Sequence, residues 1–335
     1  MQFDDVEQVL EKYYDKDVTS IEKIKNVYKV CCNDKKYCLK VINYNFGHFL
    51  FIISVIKHLQ QNNFKYIPEI IKTNENKDYV FISNKYAYLT LWIESRHCNY
   101  ENPIDMIIAA SKLAELHDKS IEFEVTDDMN PRIGWFKWIE TFKTRRYEIL
   151  DFKEKILKKE DKSEFDILYL GMMDHQLDIA TSSIDNLIRS DYIECMSQEI
   201  EAKGFCHHDF ANHNILISSD GKINVIDFDY CILDSYLHDV GSLLVRMMKG
   251  GKWSINNALF ILDAYNVSNR IRQNHIPILS AFIEFPQDYW QIGIQYYWEK
   301  QPWSEESFIK RLKKIDTDDE NKQDFIKKFS FTKYN

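Results

Sequence analysis

Glycine and proline are scarce, nine and six in 335 residues. That leaves little material for long linkers or low-complexity segments, and the chain shows neither, nor an internal repeat. No Cys-x-x-Cys pair occurs, so structural zinc is not expected. The seven cysteines (31, 32, 38, 98, 195, 206 and 231) are scattered and odd in number, a pattern of reduced thiols more than of a disulfide framework. Positive charge is not in excess: 43 Lys and Arg stand against 52 Asp and Glu, a formal net charge of -9, which argues against nucleic acid as the main partner. No apolar run approaches the length of a bilayer span. The opening "MQFDDVEQVLEKYYDKD" lacks the basic-then-apolar order of a signal peptide. The expectation is a cytoplasmic protein with no nucleic-acid and no membrane partner.

What is present divides into two halves of different period. Hydrophobic residues make up 45% and charged residues 28%, an ordinary globular composition, and the length suits two lobes or one large domain. From Ser20 to Asn43 the alternation of Tyr28, Val30, Cys32 and of Tyr37, Leu39, Val41 about Asn33-Asp34 predicts a hairpin. Phe46 to Gln61 switches to helical spacing, with Phe46, Phe49, Leu50, Ile53, Ile56 and Leu59 on one face. Tyr79 to Glu94 reads as a second hairpin turning at Ser83-Asn84-Lys85. Beyond Arg96 the pattern is mainly helical. Pro103 starts a helix with Ile104, Ile107, Ile108, Leu113 and Leu116 as its apolar positions. Long helical patterns follow over 135–200, then two short strands, Ile215–Ile217 and Ile223–Ile226, joined at Ser219-Asp220-Gly221. Helices resume at "HDVGSLLVRMM". A boundary near residue 95 therefore separates a small sheet lobe (1–95) from a large helical lobe (96–335).

The chemistry concentrates in "HHDFANHNILISSDGKINVIDFD", His207 to Asp229. A metal reading of His207, His208, Asp209 and His213 fits neither a helical His-Glu-x-x-His pair nor a Cys/His finger. A manganese glycosyltransferase reading of Asp227-x-Asp229 needs a nucleotide-binding βαβ half, and no such alternation occurs. Phosphoryl transfer fits. It needs one Asp to accept the proton of the attacking hydroxyl, an Asn on the same loop to hold magnesium, and a second Asp at the next strand's end to hold it too. His207-x-Asp209 followed by Asn214 supplies the first two, and the hairpin returns Asp227 for the third. Lys40, ending "YCLK" on a predicted strand, stands where a phosphate-contacting lysine belongs. His207 reads as a residue packing the loop, and Arg145-Arg146 as a solvated face. "YWQIGIQYYW" (289–298) has helical spacing and reads as core.

With these motifs the chain resembles the aminoglycoside phosphotransferase and choline kinase group of kinase-like folds, and more narrowly the CotS family of spore coat proteins. The resemblance runs through "YKVCCNDKKYCLKVI", "LTLWIESRHC", "CHHDFANHNILI", "INVIDFDYCILDSYLHDVG" and "FPQDYWQIGIQYYWEK". It implies an α+β, bilobal protein-kinase-like fold, with a small β-rich N-lobe for nucleotide and a large helical C-lobe carrying catalytic loop 207–214 and metal-binding strand end 227. It implies a mother-cell protein assembled into the spore coat, with other coat proteins as partners. ATP would lie between the lobes with adenine against Trp92, Ile93 and Glu94. Asp209 is the expected base, Asn214 and Asp227 the Mg2+ ligands, Lys40 the phosphate contact, and a small-molecule hydroxyl the acceptor. Two departures stand out. No glycine precedes Gly47, so the turn near Lys25-Asn26 is not a glycine-rich phosphate cover. The helix after Lys40 holds no carboxylate to pair with it, and Glu69 lies beyond. A structural pseudokinase of the coat is the alternative.

Overall fold

The structure, a computed structural model, describes residues 3–268 and 270–334. The chain is organised as two compact units: Met1–Asn99 with Glu115–Arg132 and Lys203–Leu233, and Tyr100–Ala114 with Ile133–Ala202 and Asp234–Asn335. The result is a mixed α+β protein with its strands confined to the first unit among the described residues.

The first unit opens with helix α1 (Phe3–Tyr14), followed by β1 (Val18–Ile24), β2 (Val27–Cys32), β3 (Lys36–Ile42), α2 (Phe46–Gln61), β4 (Val80–Ile82) and β5 (Lys85–Leu91). The strands pair antiparallel in the order β1-β2-β3-β5-β4. Both expected hairpins form. Ser83 and Asn84 adopt φ of 48° and 62°, the left-handed pair that matches the twist of a two-residue hairpin. Alternation sends Tyr28, Val30, Tyr37, Leu39 and Val41 to one face, where they pack with Val6, Val9 and Leu10 of α1. The opposite face of β3 is left to Cys38 and Lys40.

Two expectations for this unit change. Helix α1 goes unpredicted, although Val6, Val9 and Leu10 show its spacing; two acidic residues in its first turn and a short length mask it. Helix α2 is not amphipathic in the expected way. Phe51, Ile52 and Val55 are buried as well as Phe49, Ile53, Ile56 and Leu59, whereas Phe46 is exposed. A second sheet joins β6 (Ser95–His97), β7 (Ile215–Ser218) and β8 (Ile223–Val225) in that order. β6 is too short and polar to be read from sequence, yet its backbone pairs with β7 and so ties the stretch after residue 94 to the end of the 207–214 loop.

The second unit is helical among the described residues. Helix α3 (Pro103–Ser120) begins in it; the remainder includes α4 (Trp138–Leu157), α5 (Glu164–Arg189), α6 (Tyr192–Ala202), α7 (Leu237–Met248), α8 (Ile255–Tyr265), α9 (His275–Glu284), α10 (Gln287–Gly293) and α11 (Glu305–Phe329). In α3 the small residues Ala109 and Ala110 are buried, while Ile104 and Ile107 face solvent, contrary to expectation. Phe152, Phe165, Tyr169, Met173, Tyr289, Ile292, Phe308 and Leu312 form a core. Tyr169 and Tyr289 stack at 4.2 Å, and each hydroxyl donates to the other's carbonyl, at 3.3 and 2.7 Å, so neither phenol is buried unpaired. After Gly293 the aromatic run continues as a π-turn, Ile294–Trp298, which leaves Trp298 half exposed. Arg145 is not simply solvated: its guanidinium covers the Trp290 ring at 4.4 Å and donates to Gln287 Oε1 at 2.6 Å.

Candidate active site

The segment 207–214 is held rigid from beneath by its first histidine. His207 is fully buried, with its ring against Phe210 and Phe228. The Asp209 N–H donates to His207 Nδ1 at 3.3 Å, so Nδ1 accepts and Nε2–H donates to the Ile226 carbonyl at 3.0 Å. One neutral imidazole thus bolts the loop to the segment preceding Asp227. This matches a packing residue and not a base. His208 next to it takes φ of 66°, a left-handed conformation costing about 1 kcal/mol in a residue with a Cβ.

Asn214 closes the loop. Its Nδ2 donates to the Asp209 carbonyl at 2.9 Å and to Asp209 Oδ2 at 3.3 Å, and its own carbonyl accepts from the Ile226 N–H at 3.0 Å. The amide nitrogen being committed, the side-chain oxygen of Asn214 is its free coordinating atom. Asp209 is half-buried, and Oδ2 is the carboxylate oxygen that accepts from Asn214.

Asp227 adopts φ 69° and ψ 63°, again left-handed. That backbone turns its carboxylate to Lys40, whose ammonium donates to Asp227 Oδ1 at 2.5 Å and lies 2.6 Å from Asp229 Oδ1. Asp229 Oδ1 is buried and gains no aligned hydrogen bond from that contact. Lys40 is only 6% exposed. Burial opposes its charge, but Tyr88, Asp229 and Asp227 outweigh it and raise its affinity for the proton. Burial also pushes the Asp227 carboxyl upward; the Lys40 charge and hydrogen bond win and hold it below the ordinary carboxylate range. For Asp229 burial wins, with the Asp227 charge beside it, and its proton is held more tightly than usual.

The missing helix carboxylate is therefore replaced from another element. Lys40 pairs with Asp227 and Asp229, and Glu69 is exposed. At the start of α2 the buried residue is His48, with Nδ1 3.2 Å from the Asn130 carbonyl and Nε2 3.4 Å from the Asp229 carbonyl. Asn26, in the two-residue turn between β1 and β2, sends Nδ2 to Asp229 Oδ2 at 3.5 Å. Sequence reasoning missed His48 and Asn26. Neither lies in a motif, and only the fold brings them to the Asp-Phe-Asp segment.

The stretch after β5 lies beside the start of β3, at the other end of that strand from Lys40. The Trp92 N–H donates to the Lys36 carbonyl at 3.0 Å, and Lys29 lies 4.8 Å over the Trp92 ring. The Ile93 carbonyl accepts from Ser95 Oγ at 3.3 Å. Glu94 is exposed and pairs with Lys36 at 2.8 Å and with Lys29 at 3.8 Å; the Lys36 hydrogen bond lowers its proton affinity. All seven cysteines are free thiols.

The fold, though not any particular side-chain contact, recurs in solved structures. An aminoglycoside phosphotransferase from Alicyclobacillus acidocaldarius superposes with a TM-score of 0.79 at 21% identity, covering 92% of this chain and 91% of its own. Spectinomycin phosphotransferase, in complex with ADP and spectinomycin, gives 0.68 at 15% identity over 96% of both chains. A microcompartment-associated aminopropanol kinase gives 0.67 at 13% over 99% of both. At such identities the likeness establishes the fold: this is an aminoglycoside phosphotransferase-like, kinase-like fold. No curated protein matches the chain. The model of the family described as "Spore coat putative kinase YutH" matches residues 7–329, nearly the whole chain, and to that family of spore coat proteins the chain belongs.

Proposed function

We propose that the protein is a spore-coat-associated phosphotransferase that moves the γ-phosphoryl group of ATP, with Mg2+, to a hydroxyl of a small molecule. The observation that carries this reading is the contact of Lys40 with Asp227 at 2.5 Å, alongside a loop in which Asn214 holds Asp209. A base, a cation for phosphate and two oxygen donors for a metal thus share one compact unit. The nucleotide belongs to the 1–95 lobe, on the sheet face that carries Lys40, with adenine toward Trp92, Ile93 and Glu94.

Asp209 accepts the acceptor hydroxyl's proton as its oxygen bonds to the γ-phosphorus; the bond from phosphorus to the bridging oxygen breaks and ADP leaves. Lys40 has three N–H donors, of which one is directed to Asp227 while Asp229 is held by charge alone, and turns another to phosphate oxygens. Asn214 Oδ1 and the Asp227 carboxylate are all-oxygen donors, the set a hard divalent cation prefers, so Mg2+ fits them. Bound there, the ion would neutralise charge on the phosphoryl group. No Ala-Pro-Glu segment follows Asp227, and the chain reaches α7 within ten residues, which favours a small acceptor over a peptide. The spectinomycin and aminopropanol enzymes of the same fold are named for small acceptors.

The second reading, a coat pseudokinase, is favoured by the two-residue turn at Lys25-Asn26 in place of a glycine-rich loop. Calorimetric titration of ATP with and without Mg2+, with Asp227→Asn as control, separates the two. Magnesium-dependent binding lost in the variant supports the enzyme; no binding to the wild type supports the pseudokinase. Equal affinity in wild type and Asp227→Asn overturns the metal assignment.

A further inference from the structure

Arg132 is a cation without an acidic partner among the described residues. It is half-buried, its guanidinium lying 5.2 Å from the Tyr44 ring centre and 5.0 Å from that of Tyr230, with one amino group donating to the Tyr44 hydroxyl at 3.1 Å. Two aromatic faces hold a guanidinium plane well, since it is planar and weakly hydrated, but they do not neutralise it. Most of its fork of N–H donors is unused.

Its place is equally specific. Tyr230 follows Asp229 directly, and the Leu233 N–H donates to the Arg132 carbonyl at 3.0 Å, so Arg132 is strapped to the segment that presents Asp227. Two residues before it, the Asn130 carbonyl faces His48 Nδ1, whose Nε2 faces the Asp229 carbonyl. The cation is thus preorganised by Tyr44, Tyr230 and the Asp-Phe-Asp segment together.

We propose that Arg132 is an anion subsite of the active site, taking a phosphoryl or carboxylate group in the bidentate manner of a guanidinium. This rests on the phosphotransferase reading for its meaning. The group comes either from the γ-phosphoryl end of the nucleotide or from an anionic acceptor, and the two sources are separable by binding alone.

The experiment titrates inorganic phosphate, MgADP and MgATP into the wild-type protein and into Arg132→Met, with Arg132→Lys as a variant that keeps the charge and loses the plane. Phosphate affinity is expected to fall tenfold or more in Arg132→Met and by less in Arg132→Lys, with MgADP affinity unchanged. A parallel fall for MgATP assigns the subsite to the γ-phosphoryl group; unchanged MgATP assigns it to the acceptor. Equal phosphate and MgATP affinities in wild type and Arg132→Met, including no phosphate binding by either, overturn the proposal. So does a uniform loss of all three ligands, which a merely structural arginine would produce. If the wild type binds phosphate through Arg132 but binds neither nucleotide, the phosphotransferase reading fails and the anion subsite stands.

Discussion

Lys40 Nζ lies 2.5 Å from Asp227 Oδ1, although 187 residues separate them. A buried cation on the third strand and a carboxylate in left-handed backbone complete each other. The ammonium also stands 2.6 Å from Asp229, so one lysine compensates two acids.

Removing that cation leaves two carboxylates in a site with little water. Lys40→Met is expected to destabilise the folded chain by about 3 kcal/mol, the low end for breaking a buried pair because Asp227 is one-third exposed. Urea denaturation at pH 7 measures it. A loss under about 1 kcal/mol would mean the pair is screened like a surface contact.

Asp209→Asn is nearly isosteric and keeps an oxygen to accept from Asn214. Nucleotide affinity should stay within twofold of wild type, while phosphoryl transfer falls by a factor of about 10² to 10⁴, the usual contribution of a general base. Calorimetry and a coupled ADP assay give the two numbers. A parallel fall in nucleotide affinity would point instead to a loop-folding role.

In the second unit Glu199 is buried, which raises its pKa to about 7 against the pull of Arg270 and the Tyr236 N–H. In the unfolded chain it releases its proton near 4.5, so between pH 4.5 and 7 the folded state binds more protons than the unfolded one. Its contribution to stability therefore declines as pH rises through that window, by about 3 kcal/mol in all. Glu199→Gln should remove this decline: compared with wild type, it gains stability at pH 8 and changes little at pH 4.5. A variant offset that is the same at both pH values would show that Glu199 ionises normally.

Gly293 closes α10 where a Cβ would come within 2.4 Å of the Tyr169 hydroxyl and 2.7 Å of the Phe152 ring. Both rings belong to the packed core and cannot retreat freely. Gly293→Ala should cost about 1–3 kcal/mol as overpacking, in spite of alanine's better helix propensity. A thermal scan that shows an unchanged or raised midpoint would mean the core yields at this point.

Much of the site was legible because its parts are local. Asp209 and Asn214 sit five residues apart, and a loop of that length brings them together whatever surrounds it. Asp227 returns by a short hairpin whose turn chemistry is written in Ser219-Asp220-Gly221. Lys40 was legible through the period-two alternation of β3, which sets its face of the sheet. Helix α2 was found with its true bounds, but its buried width was underestimated, since spacing reveals a helix and not how many neighbours cover it.

The elements whose signals act over a few residues can be read from the chain alone: the hairpins, the main helices and the spacing of the 207–214 loop. Tertiary structure alone decided the partners. Lys40 found Asp227 and Asp229 in place of a helix carboxylate, His48 and Asn26 reached the Asp-Phe-Asp segment, and Arg132 came to rest between Tyr44 and Tyr230. Each of these contacts spans between about 80 and 200 positions of chain, where local propensity carries no information. Only the packing of a sheet against the helix and loops around it brings such charges within reach of one another.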